Sequence, residues 1–162
     1  MQWKYKSLFS LILVLFFAYG CSDSDPAGPT SAYSAIEQRA FELINNYRVG
    51  KGLQKMEWSD AIAEECRQHS KNMANGTVAF GHLGIEDRVK RLRSKIEWIK
   101  SAENVAYNFG FEDPAQKAVE DWIASESHRI NIETASFNLS GMGVEKAADG
   151  KYYFTQIFLQ KK

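Results

Sequence analysis

Three histidines, His69, His82 and His128, are the whole imidazole supply of this 162-residue chain. His82 lies between two glycines in Ala79-Phe80-Gly81-His82-Leu83-Gly84, a pattern that predicts a loop. Glu103 stands in Ala102-Glu103-Asn104-Val105, just after a short apolar segment, and His128 follows a helical stretch that ends near Ser125. Two imidazoles and one carboxylate can hold zinc or another divalent cation and leave a fourth position open. Water at such a position becomes a nucleophile. The intervals from residue 82 to 103 and from 103 to 128 do not by themselves bring the groups together, unlike two histidines one helical turn apart. A hydrogen-bonded His/Glu cluster without metal is an equal expectation.

Other pairings carry less chemistry. Ser125 and His128 are three apart and meet if the segment is helical, but no Gly-x-Ser-x-Gly elbow and no orienting acid accompany them. Cys66 and His69 are also three apart. Cys66 falls on an apolar stripe and is expected to be an inert core thiol, and His69 to be a partly buried structural residue. Arg88, Lys90, Arg91, Arg93 and Lys95 read as a solvated helix face, with anionic lipid or glycan contact as the alternative. Tyr107, Phe109 and Phe111 alternate beside Glu103 and are expected to pack against the sheet, the alternative being an apolar groove.

The elements that must position these groups can be read from periodicity. Ile36, Ala40, Leu43, Ile44 and Tyr47 mark one face of a first helix, with Ser34 and Glu37 as a capping box and Gly50 as its stop. A second helix follows Ser59, carries Ile62, Ala63, Cys66 and Met73 on one face, and ends at Asn75-Gly76. A third spans roughly Ile85 to Arg93, and a fourth opens at Asp113-Pro114 with Ala115, Ala118, Val119, Trp122 and Ile123 as its stripe. Leu139 to Glu145 and Tyr152 to Leu159 read as strands joined through Asp149-Gly150, the second covered on both faces, and Ile96 to Ile99 as a third strand. The expected fold class is α+β, a three-layer α-β-α sandwich with a small antiparallel sheet between helices.

Composition narrows the function classes. Lys plus Arg and Asp plus Glu both number 20, so no cationic excess points to nucleic acid. Two cysteines cannot build a disulfide framework or a four-cysteine zinc site. The chain opens with Lys4 and Lys6 and an apolar run from Leu8 to Tyr19 that is too short to span a bilayer. Residues 1–20 are therefore expected to be a secretory signal peptide. Ala18-Tyr19-Gly20-Cys21 resembles a bacterial lipobox, which implies lipidation of Cys21 and a membrane-anchored lipoprotein at the outer membrane or cell surface, with a secreted or periplasmic protein as the alternative. Residues 21–33, with Pro26, Gly28 and Pro29, read as a tether, and 34–162 as the domain it carries.

Several short patterns fall in a specific order. They are Ala63-x-x-Cys66-x-x-His69-Ser70-x-x-Met73, Phe80-Gly81-His82 with Asp87-Arg88, Glu103-Asn104-Val105-Ala106, Trp122-x-x-Ser125-x-x-His128-Arg129-x-Asn131, and Gly141-Met142-Gly143-Val144 with Tyr152-Tyr153-Phe154-Thr155-Gln156. The ordered set resembles the CAP superfamily (cysteine-rich secretory protein, antigen 5 and pathogenesis-related 1; SCP-like), in its short bacterial, disulfide-free branch. The resemblance implies an α-β-α sandwich with His and Glu side chains in a cleft. It carries over to His82 and Glu103; a later Glu of the eukaryotic pattern falls on Ser125, and this chain offers His128 in place of the later His. It also implies divalent-ion binding at His82 and His128 with Glu103. The leading expectation for function is a binding module for a lipid, a glycan or a protein partner. A metal-dependent hydrolase using the same three residues and a structural or adhesive surface protein are the competitors.

Overall fold

The computed structural model describes residues 31–162. The expected signal peptide, Cys21 and most of the tether lie outside the described residues. Five helices and four strands follow one another as α1 (Ser34–Gly50), β1 (Glu57–Trp58), α2 (Asp60–Ala74), α3 (Ile85–Leu92), β2 (Trp98–Asn108), α4 (Pro114–Ala124), α5 (Glu126–Glu133), β3 (Leu139–Lys146) and β4 (Tyr152–Lys161). The sheet order is β1-β3-β4-β2. β3 and β2 flank β4 antiparallel, with Leu139 opposite Leu159 and Glu103 opposite Ile157. The two-residue β1 adds a parallel edge, pairing Glu57 with Leu139, so the sheet is mixed.

The three-layer arrangement holds. One face of the sheet packs Met142, Val144, Phe154 and Phe158 against Ala40, Phe41 and Ile44 of α1 and Ala118, Val119 and Trp122 of α4. The other packs Ile157 and Leu159 against Ile62 and Cys66 of α2 and Val89 and Leu92 of α3. Alternate β4 side chains serve opposite cores, which is why Phe154 to Leu159 are all buried and why this strand reads as largely apolar, with only Thr155 and Gln156 polar in that stretch.

Glycine sets how closely α2 approaches the sheet. A β-carbon on Gly143 would overlap the backbone of Cys66 and Arg67, and one on Gly141 would overlap Ala63 N. With no side chain at either position, the α2 backbone lies directly on β3. Ser70 Oγ then reaches Gly143 O and Thr155 Oγ1, both at 2.9 Å. The two glycines of the Gly-Met-Gly-Val pattern are a packing requirement.

Several boundaries were legible. Ser59 caps α2 by accepting from Ile62 N, and Asp113 caps α4 by accepting from Gln116 N with Pro114 behind it. Others differ. Ser34 and Glu37 form no capping box: Tyr33 is the N-cap of α1 and contributes no side-chain bond. The buried face of α1 is rotated by about one residue, to Glu37, Ala40, Phe41, Ile44, Asn45 and Arg48, leaving Ile36, Leu43 and Tyr47 half-buried. Polar residues share that face because they have specific partners. Arg48 donates to the carbonyls of Gln54, Ile132, Thr134 and Phe137, and Asn45 exchanges bonds with the backbone of Met56. The third strand extends to Asn108 and so contains Glu103, and the segment holding His128 is itself a helix.

Candidate functional site

β2 is an edge strand, and its outer side is closed by side chains instead of another strand. Trp122 Nε1 donates to Val105 O at 3.0 Å, and Asn131 Nδ2 donates to Asn104 Oδ1 at 2.8 Å and to Glu103 O at 3.4 Å. Asn104 Nδ2 returns a bond to His128 O at 3.1 Å. These bonds satisfy edge carbonyls that would otherwise invite pairing with another chain. They also fasten the start of α5, and with it His128, beside Glu103.

Glu103 faces the α2/α3 layer, on the same side of the sheet as Ile157 opposite it. Its side chain is 2% exposed. Arg88 of α3 grips both carboxylate oxygens, Nε to Oε2 at 3.0 Å and Nη2 to Oε1 and Oε2 at 2.8 Å. This forked geometry is the strong form of the pair, and the charge balance permits burial. Arg88 Nη1 also donates to Leu83 O at 2.8 Å, tying the Phe80–Gly84 loop to the same guanidinium. His69, buried on α2, fixes that loop from beneath through Nε2 and Gly81 O at 2.8 Å. Burial, the largest influence, holds the His69 proton affinity below the ordinary imidazole value.

His82 rides on this clamped loop, half exposed, with Nδ1 3.0 Å from Glu103 Oε1. An ionised carboxylate only accepts, so Nδ1 carries the proton and Nε2 is the unprotonated atom of the neutral ring. His128, half-buried in the first turn of α5, places Nδ1 2.9 Å from Ser125 Oγ. Burial first, and the charge of His82 second, push its proton affinity down. The structure thus joins His82 to Glu103 directly, whereas the His128 ring bonds Ser125 Oγ and, among the described residues, makes no hydrogen bond to the His82 or Glu103 side chain.

The donor set does not fit the expected metal centre as the side chains stand. Glu103 Oε1 serves His82 and Arg88, and Oε2 serves Arg88 twice. Among the described residues, no group of three or more His, Cys, Asp or Glu is arranged to hold an ion. Ser125 and His128 do meet, but Ser125 Oγ otherwise contacts only the Ser127 hydroxyl, and no acid orients the imidazole. Cys66 is buried with its thiol 3.4 Å from Gly141 O, and burial drives its proton affinity well up, so it stays a thiol.

Two expectations about the surroundings are corrected. Arg88 is not part of a solvated basic face; it is buried, whereas Arg91 pairs with Glu65 and Arg93 lies over the Trp98 ring at 3.7 Å. The signal was present, since Arg88 falls three residues after Ile85 and four before Leu92, on the buried stripe of α3. Of Tyr107, Phe109 and Phe111, Tyr107 packs on the sheet through its cross-strand neighbour Tyr153, whereas Phe109 and Phe111 lie past the end of β2. All three are about half exposed or more, and Tyr107 joins Phe80 and Tyr153 in an aromatic cluster with centroids 5.0–6.4 Å apart.

The family model described as CAP, cysteine-rich secretory protein family, matches residues 41–158, and the chain belongs to that family. It is 32% identical over 130 residues to the uncharacterized membrane protein YlbC of Bacillus subtilis, covering 77% of this chain and 34% of that one. It is 28% identical over 136 residues to the uncharacterized protein YkwD of the same organism, covering 81% and 49%. The chain thus spans a third to a half of the curated relatives it matches. Among solved structures, it superimposes on an extracellular SCP-domain protein of Bacillus anthracis with TM-score 0.64 and 27% identity, covering 83% of this chain and 45% of that one. An outer surface protein of Borrelia burgdorferi gives TM-score 0.67 at 16% identity, covering 84% and 100%, a likeness of fold alone.

Proposed function

We propose that this protein is an exported, lipid-anchored CAP domain of a bacterial envelope that acts as a binding module. Its recognition centre is His82 and His128 beside the side-chain-capped edge of β2, and the ligand is the polar head of a lipid, a glycan or a protein partner. The full engagement of Glu103 carries this reading. A carboxylate held by a guanidinium and an imidazole is not offered as a metal ligand or a general base. It does fix the tautomer and aim of His82, which is what a hydrogen-bonding recognition group needs. The similarity to an extracellular SCP-domain protein and to a membrane protein supports export.

Zinc titration of the wild type, His82→Ala and His128→Ala, followed by melting temperature, separates this reading from the metal-dependent hydrolase. The binding reading expects the same small response in all three proteins. A stabilisation confined to the wild type, with cleavage of envelope peptides, esters or glycans that Glu103→Gln abolishes without unfolding the protein, would replace it. For the ligand itself, native mass spectrometry of the membrane-extracted protein should show a bound species that His82→Ala loses.

A further inference from the structure

Exposed aromatic side chains gather at one end of the molecule. Phe80, Tyr107, Phe109 and Phe111 are each between 48% and 62% exposed. Phe80 and Tyr107 meet edge to face, Tyr107 and Tyr153 lie 5.7 Å apart, and Phe109 reaches the hairpin at Gly150. Lys117 Nζ lies 5.2 Å from the Phe111 centroid and Lys146 Nζ 4.9 Å from that of Tyr152. A monomer in water gains nothing from such a patch, whereas rings with polar tips and flanking lysines suit a bilayer interface.

The path of the chain says which surface covers it. Tyr33, two residues after the described chain begins, packs edge-on against Tyr152 at 6.1 Å. Tyr152 stands opposite Asn108, and Tyr153 opposite Tyr107. The tether therefore enters the domain at the aromatic end of the sheet. Ten residue steps separate Cys21 from Ser31, at most about 35 Å of chain. An anchor at Cys21 keeps that end within about one domain diameter of the lipid.

We infer that the Phe80/Tyr107/Phe109/Phe111 surface seats on the bilayer leaflet that holds the protein's own anchor. The rings enter the headgroup layer, and the loop carrying His82, two residues from Phe80, opens at that level. This inference rests on the anchored reading proposed above. Among the described residues, no helix is long and apolar enough to cross a membrane, so the contact is interfacial.

The test uses the full lipidated chain in vesicles of phosphatidylethanolamine and phosphatidylglycerol at 3:1. Cys66 is buried, so an environment-sensitive NBD dye can be placed at Glu112→Cys, beside Phe111, or at Glu97→Cys, at the opposite end of β2. The dye at Glu112→Cys should brighten and shift to the blue on reconstitution, and the dye at Glu97→Cys should not. Adding Phe109→Ser and Phe111→Ser should abolish the shift while the protein still floats with the vesicles. Flotation with an unshifted dye at Glu112→Cys overturns the seating alone. Flotation that is absent, or indifferent to Cys21→Ala, overturns the anchored reading and the seating with it. A shift produced by soluble envelope glycan in place of vesicles identifies a sugar platform and also overturns the proposal.

Discussion

The domain contains two buried carboxylate–arginine forks, and they end differently. Glu37 of α1, fully buried, receives Arg67 of α2 through Nε and Nη2 and accepts a further bond from Val144 N at 3.1 Å. Because β1 is only two residues long, β3 is unpaired on that side beyond Ser140, and Glu37 supplies the missing acceptor. Glu103 is held by Arg88 in the same forked manner, but its remaining partner is the half-exposed His82. One fork closes on backbone and completes the sheet. The other closes on an imidazole that meets solvent. The ion pair alone therefore does not mark function; the nature of its third partner does.

The largest expected effects come from breaking the forks. Arg67→Ala strands Glu37 with a single backbone donor and should cost about 3–5 kcal/mol, read from denaturant midpoints. Arg88→Ala should cost less, because Glu103 keeps a half-exposed imidazole whose other face meets water. Equal losses would erase the distinction drawn here. Gly143→Ala should come next, at about 1–3 kcal/mol, since α2 must move off β3.

His82→Ala sharpens the comparison from the other side. It removes no core contact and should change stability by less than about 1 kcal/mol, while abolishing capture of the ligand seen by mass spectrometry. A loss of several kcal/mol would make His82 structural, like Val144 at the other fork.

The smallest effect is on pH dependence. His69 and His128 both have proton affinities below the unfolded value, burial being the leading cause. The unfolded chain therefore binds protons first as pH falls. Stability from these two groups is complete above about pH 6.5 and declines as pH drops through and below it. His128→Gln should flatten the slope of unfolding free energy between pH 7.5 and 5.5. Arg67→Ala should lower the whole curve without changing that slope, because no histidine contacts its fork.

Much of this architecture was legible in one dimension. Pro114 behind Asp113, Ser59 before the α2 stripe and Asp149-Gly150 between two apolar runs announce local geometry, because caps and turns are made by residues close in sequence. The largely apolar make-up of β4 announced a strand covered on both faces, because a solvated face would alternate with polar residues. Glu37 shows where such reading stops. Its spacing from Ser34 satisfies a capping box, yet the side chain turns inward to Arg67 and Val144. Nothing local distinguishes the two outcomes, because the competing partners are 30 and 107 residues away.

The same holds for the site. Residue types and order named His82, Glu103 and His128 as the groups to watch, and placed Cys66 and His69 among structural residues. Which of them would touch was not written locally. Arg88 enters the Glu103 carboxylate only because α3 packs across β2. Phe80 meets Tyr107 only because the loop carrying it folds onto β2, and the chain enters at that end of the sheet only because Tyr33 finds Tyr152. Caps, turns and amphipathic faces follow from neighbours a few residues apart, so the sequence determines them. Ion pairs and exposure depend on distant segments meeting, so the tertiary structure alone decided them.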